Sequence, residues 1–169
     1  ISGYRVYNNI AIGSENKIRK DNSLDLRNNT LVGHSNELYT PASATTTTIG
    51  GRNSLVGYGN KVTAYNNAAF GIDNIIDAKN SIVVGYNNEI RQGSTSGYYS
   101  VAVGINNKIS GEYSNTFGFE NSANANNSMI VGYKLSGDAN SVKIGIGNTY
   151  LKITSGGIYK CINGTETPL

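Results

Sequence analysis

The chain has 169 residues, of which Asn, Gly, Ser and Thr make up about 45%, with 15% charged residues, 12 Tyr, no Trp and a formal net charge of +3. Few strong helix formers are present, which excludes a helical bundle or coiled coil, and evenly spread tyrosines and aliphatics exclude a disordered tract. No apolar run approaches the ~20 residues of a membrane-spanning helix, and the mild, unclustered basic charge does not form a nucleic-acid-binding face.

In chain order, Ile1–Tyr7 reads as an N-terminal cap or linker, and a first residue other than Met points to a piece of a longer protein. From residue 8 to residue 149 one unit recurs. The segment Asn80-Ser81-Ile82-Val83-Val84-Gly85-Tyr86-Asn87-Asn88-Glu89-Ile90 has relatives at Ile10–Ile18, Ala69–Ile76 and Val101–Ile109, and further copies centre on Gly33, Gly57, Gly118, Gly132 and Gly145. The glycines lie 14 apart from 57 to 71, 71 to 85, 104 to 118 and 118 to 132, and 13 apart from 132 to 145. Wider spacings of 20, 24 and 19 mark inserts at 19–28, 39–46 and 91–99, whose Ser, Thr, Gly and Pro41 read as loops bulging from the repeat. Gly50, seven before Gly57, also shows a half-repeat.

Each position of the unit has a physical task. The residue before the Gly is apolar, as at Ile12, Val32, Ile49, Phe70, Val84, Val103, Phe117, Val131 and Ile144. Strand alternation puts it on one face with the residue two earlier, such as Ile10, Ile82 or Met129, and this face is expected to line the interior. The Gly ends the strand where positive φ or close approach of the next coil excludes a Cβ. Three residues later stands Asn, at Asn16, Asn36, Asn53, Asn60, Asn74, Asn88, Asn107 and Asn121, whose stacked amides are expected to bond up and down the chain. An aliphatic follows two residues on, as at Ile18, Ile76 and Ile90. Two short strands and two turns in 14 residues predict one flat coil of an all-β parallel solenoid. About nine coils at ~4.8 Å give a rod roughly 40–45 Å long. The second column (Ala11, Leu31, Ala69, Val83, Ala102, Thr116, Ile130) is expected to point outward and to need a partner, which a three-fold axis along the rod supplies.

The unit Asn-Ser-x-x-x-Gly-x-x-Asn-x-Ile over residues 8–149 resembles the head repeat of trimeric autotransporter adhesins of the YadA type. That resemblance implies a left-handed parallel β-roll, homotrimeric, of the kind also found in bacteriophage tail fibres. The sequence departs from the family in using Asn, Tyr and Ile where Ala abounds, and no neck, heptad stalk or anchor follows Gly145.

Residues 150–169 abandon the repeat. Tyr150–Thr154, Ser155-Gly156-Gly157 and Ile158–Ile162 predict a β-hairpin that caps the open end of the solenoid. Two places are candidates for binding. The third insert combines Arg91 and Gln92 with Tyr98 and Tyr99, a flexible segment with aromatic faces suited to sugars or apolar protein surface. The column just after the Gly holds His34, Tyr58, Tyr86, Phe119 and Tyr133, a ligand ribbon if it faces out and core if it faces in. His34 has no metal-ligand partner at usable spacing, Cys161 has no second cysteine, and no cofactor motif is present. The carboxylates Glu15, Glu37, Asp73, Glu89 and Glu120 fall in the turn after the Gly, where charge keeps a rod soluble. The expectation is a non-enzymatic, extracellular adhesion module that binds a cell-surface glycan or protein receptor. Ending in a hairpin without stalk favours the receptor-binding part of a phage tail fibre. The head of a bacterial autotransporter is the alternative, and a glycan-cleaving fibre the enzymatic competitor.

Overall fold

The computed structural model describes residues 6–20, 26–40, 50–91 and 99–169, and every regular element among them is a β-strand. The tips of the three inserts (21–25, 41–49 and 92–98) lie outside the described residues. Most of their described flanks are strand rather than loop: Lys17–Lys20 pairs with Glu37–Thr40, Leu26–Arg27 pairs with Gly50–Gly51, and the strand from Glu89 continues through Arg91, whereas Asn28 and Tyr99 lie outside the strands.

Strands stack in three sheets. The largest has 12 strands, and its repeating members are five- or six-residue strands such as Thr30–His34, Ile82–Tyr86 and Ser128–Tyr133. Pairing is parallel and in register from Ile10–Ser14 through Ser141–Ile146, so Gly13, Gly33, Gly57, Gly71, Gly85, Gly104, Gly118, Gly132 and Gly145 lie side by side. Inserts change the sequence spacing without disturbing this register. Opposite stands a seven-stranded parallel sheet of short strands, including Lys61–Val62, Ile75–Asp77 and Lys108–Ile109. A three-stranded sheet, Val6–Tyr7, Leu26–Arg27 and Gly50–Gly51, continues one corner. The architecture is an all-β parallel solenoid.

Each coil turns two corners, and at both the leading residue has positive φ. After the long strand these are Glu15, Ser35, Gly59, Asp73, Asn87, Asn106, Glu120 and Lys134; before it they include Asn28, Asn66, Asn80 and Asn127. The residue after each corner turns inward and bonds to its copy in the next coil. In the first ladder Asn88 Nδ2 donates to Asn74 Oδ1 (3.1 Å) and to the carbonyl of Gly104 (2.7 Å), while Asn88 Oδ1 accepts from the backbone and side chain of Asn107 (3.0 and 2.9 Å). Asn16, Asn36, Asn60, Asn74, Asn107 and Asn121 repeat the pattern, and Leu135 ends it by donating its backbone N–H to Asn121. A second ladder, at the other corner, runs Asn9, Asn29, Asn53, Asn67 and then switches to serines from Ser81. Asn53 belongs to this second ladder, not to the first as the spacing from Gly50 implied. Gly85 shows why Gly recurs: its φ is +126°, and a Cβ there would fall on the Gly104 carbonyl oxygen and 3.1 Å from Asn88 Nδ2. Space inside that bend is already taken by the ladder.

The core reverses the parity expected from sequence. Leu31, Leu55, Ala69, Val83, Ala102, Thr116 and Ile130 point inward and are fully buried. They pack against Leu38, Val62, Ile76, Ile90, Ile109 and Ala123 from the short-strand sheet. Outside lie Ile10, Ile12, Phe70, Ile82, Val84, Met129 and Ile144, all exposed in the single chain. The ladders dictate this choice. A ladder residue buries its amide or hydroxyl, so alternation buries the residue two later, Val83 after Ser81 and Ile90 after Asn88. The flat coil then has room for one side chain from each wall.

The solenoid ends in antiparallel pairing. Ser141–Ile146 pairs with Thr149–Thr154, which pairs with Gly157–Ile162, the expected hairpin, and Thr165–Pro168 adds a further antiparallel strand.

Candidate functional site

Inward residues are consumed by ladders and core, so any binding chemistry lies on outward positions. The outer face of the long-strand sheet carries three adjacent columns that are largely apolar. Examples are Ile82, Val84 and Tyr86 on one strand and Ala68, Phe70 and Ile72 on its neighbour. On the short-strand sheet the outward side chains are mostly charged, with Arg19 near Glu37 (3.5 Å) and Arg91 paired to Glu89. Glu37 and Glu89 therefore sit in strands, whereas Glu15, Asp73 and Glu120 occupy the corner after the Gly as expected.

The column after the Gly faces outward. Tyr58, Tyr86 and Tyr133 are exposed, and the column's rings stack where neighbours allow: His34 on Tyr58 at 5.2 Å and Phe119 on Tyr133 at 5.3 Å between centroids. His34 shares a hydrogen bond with Ser14 Oγ (2.6 Å) and lies 3.5 Å from Glu15. Lys134 lies over the Tyr133 ring at 5.1 Å and pairs with Glu120; hydrogen bonds to Tyr133 and Glu120 raise its pKa above the ordinary lysine value.

Of the residues from the third insert, Gln92 and Tyr98 lie outside the described residues, and Arg91 is a strand residue held by Glu89. Tyr99 is 64% exposed and stands at the opposite end of the long strand from the Tyr58–Tyr86–Tyr133 column. Six residues of extended chain, Tyr99 to Ile105, put about 20 Å between the two places. The structure therefore separates the candidate aromatics into two sites. It also brings Tyr99 to Tyr113, with centroids 6.3 Å apart and 26° between the planes. Tyr113 was missed in the sequence, although it lies one 14-residue period after Tyr99.

A charged cluster lies where the parallel coils give way to the antiparallel strands. Lys143 occupies the inward column after Ile130 and is 6% exposed; its ammonium reaches Asp138 (3.0 Å) and lies 4.6 Å from the centre of the Tyr150 ring. Lys152 joins Asp138 (2.8 Å) to Glu166 (2.9 Å), and the Tyr150 hydroxyl donates to Glu166 (2.7 Å). Burial opposes ionisation of Asp138, but hydrogen bonds and charge from Lys152 and Lys143 outweigh it and hold the carboxyl below its ordinary value. Lys152 and Tyr150 hold Glu166 low in the same way. Burial and the Glu166 hydrogen bond push the Tyr150 phenol up. Cys161 is buried beneath, with its thiol donating to the Asn148 carbonyl (3.3 Å). Among the described residues no group of three His, Cys, Asp or Glu is placed to hold a metal ion, and no helix is long and apolar enough to cross a membrane.

The chain matches no protein-family model and no curated protein.

Proposed function

We propose that the chain is a fibrous adhesion module that works as a homotrimer, a YadA-like β-roll of about nine coils forming the receptor-binding part of a phage tail fibre. The observation that carries this is the largely apolar outer face of the long-strand sheet from Ile10 to Ile146, on which Ile10, Ile12, Phe70, Ile82, Val84 and Ile144 are exposed in the single chain. Contiguous apolar surface of this length on a soluble rod is an association surface. Three copies facing a common axis bury it evenly along the rod and leave the corners, inserts and charged sheet to solvent. Receptor contacts then fall to the third insert, with Arg91, Gln92, Tyr98 and Tyr99, and to whichever part of the Tyr58–Tyr86–Tyr133 column stays outside the trimer. Antiparallel strands follow the parallel coils, and the Lys143 cluster fills the interior where they meet. The head of a bacterial trimeric autotransporter shares these features and is distinguished by gene neighbourhood.

Light scattering is expected to give three times the chain mass, and fluorescent protein is expected to coat the host bacterium saturably without releasing reducing sugar from its envelope. A monomer that coats no cells would sink the proposal, and released sugar would replace it with a glycan-cleaving fibre.

A further inference from the structure

The column just after the Gly is aromatic or aliphatic from Tyr58 to Ile146, but its first two places hold Ser14 and His34, the chain's one histidine. Register pairs these two directly, and Ser14 Oγ lies 2.6 Å from His34 Nδ1. On the other side of the ring, Nε2 is 3.5 Å from Glu15 Oε2. Two further contacts hold the groups in place. Ser35 Oγ donates to the same Glu15 oxygen (3.0 Å), and the imidazole stacks on Tyr58 with 5.2 Å between centroids and 16° between planes. A hydroxyl, an imidazole and a carboxylate thus stand in line.

That order has a chemical consequence. The carboxylate favours the tautomer with its proton on Nε2, which leaves Nδ1 to accept the proton of Ser14. A nucleophile in contact with a base, itself oriented by a third group, is the arrangement of covalent acyl transfer. The place is also accessible. Ser14 is exposed, and the side chains of His34 and Glu15 are 41% and 67% exposed. All three lie at or beside the corner of Glu15 and Ser35, and the trimer proposed above leaves the corners to solvent.

We propose that Ser14, His34 and Glu15 form a hydrolytic site for uncharged, short-chain acyl esters. His34 takes the Ser14 proton as Oγ bonds to the acyl carbon. The imidazolium then gives that proton to the departing alcohol oxygen as the ester C–O bond breaks. Water attacks the acyl-serine, passing a proton to His34, and the carboxylic acid leaves as Ser14 regains its proton. Glu15 is the positioning residue, which orients the ring and stabilises the imidazolium formed at each transfer. Ile12, two residues before Ser14 on the outer face, offers the acyl chain an apolar contact, and the Glu15 charge disfavours anionic esters. The open setting admits an ester carried on a large molecule. It is also expected to give slow turnover, since oxyanion stabilisation is strongest where water is excluded. The reaction releases an acid and an alcohol rather than a reducing sugar, so it is distinct from the adhesive role and its test.

The test uses the full chain with p-nitrophenyl acetate and a fluorophosphonate probe. Wild-type protein is expected to release nitrophenol and to carry the phosphonate on Ser14 in a peptide map. Ser14→Ala is expected to lose the label and to slow release by about tenfold or more at unchanged Tm. His34→Gln is expected to lose both as well. Glu15→Gln is expected to slow release, and Glu15→Asp to restore part of it, at equal Tm. Release that persists in Ser14→Ala means that the imidazole alone cleaves the ester, and overturns the proposal. A probe that labels another residue or none overturns it too, and a Glu15→Gln protein as fast as wild type removes Glu15 and with it the triad. If His34→Gln melts lower because its stack on Tyr58 is lost, Ser14→Ala decides, since that change leaves the stack in place.

Discussion

Asn88 makes more bonds than any apolar residue could replace. Its amide satisfies Asn74 on one side and the Gly104 carbonyl on the other, and its oxygen holds two donors of Asn107. Asn88→Leu is nearly isosteric but strands these groups in a buried corner. It is expected to cost roughly 2–4 kcal/mol in urea unfolding, against under about 0.5 kcal/mol for the same change at exposed Asn126. Equal costs at both positions would reduce the ladder to a set of turn formers. Thr116 is the opposite case. It stands in the inward column, fully buried, and its hydroxyl has no hydrogen-bond partner among the described residues. Thr116→Val removes that group at constant volume and is expected to raise stability by about 1 kcal/mol. A loss of stability would mean that the hydroxyl is bonded. Ser128 also has a buried hydroxyl with no partner among the described residues, and it stands where the spacing shortens from 14 to 13. There the serine ladder fails to reach Ser141.

Among the elements, the cap differs most from the rest. A parallel solenoid leaves an open core and unpaired edges at its end. Here Lys143 takes the inward position, and Asp138, Lys152, Glu166 and Tyr150 surround its charge. Asp138→Asn removes the carboxylate from a buried ammonium and is expected to destabilise the cap by about 1–3 kcal/mol, less than for a fully buried pair because Asp138 is partly exposed. Lys143→Met is expected to be neutral or stabilising, since an apolar side chain of similar length fits the core column. The pH dependence has a definite sign. Both carboxyls titrate lower in the folded chain than in the unfolded one. Their contribution is complete above the unfolded value near ~4 and is lost as pH falls through the lower folded values. Cys161 reports on this directly: labelling by a dithiodipyridine is expected to stay slow at neutral pH and accelerate below about pH 4. A rate flat across that range would separate the cap from the ion cluster.

At the scale of the whole molecule, the two sheets have opposite outer characters, one apolar and one charged. The apolar face lies outside the core, so it can be changed without touching the coil interior. Phe70 and Val84 are adjacent on it by register. If the proposed trimer packs through this face, Phe70→Glu with Val84→Glu leaves the circular dichroism spectrum of the fold intact while reducing the mass from three chains to one, because unpaired carboxylates resist burial at the axis. An unchanged mass would place the association surface elsewhere on the rod.

The fixed 14-residue step, the glycines at positive φ and the Asn column were legible in the sequence, because a solenoid repeats its strained and polar positions at the same place in every coil. So was the antiparallel end, where the repeat stops at Tyr150. Which apolar column fills the interior was not read correctly from strand alternation, since both columns are apolar. The seven-residue offset carries that information in Asn29–Leu31, Asn53–Leu55 and Ser81–Val83, which repeat the spacing of Asn36–Leu38, Asn60–Val62 and Asn88–Ile90. Recognising it requires the second ladder, which hides behind a change from Asn to Ser. The meeting of Tyr99 with Tyr113, and of Lys143 with Asp138, Lys152 and Glu166, was decided only in three dimensions. Each depends on which side chains adjacent coils or antiparallel strands bring into register, and a chain read one residue at a time contains the spacing but not the contact.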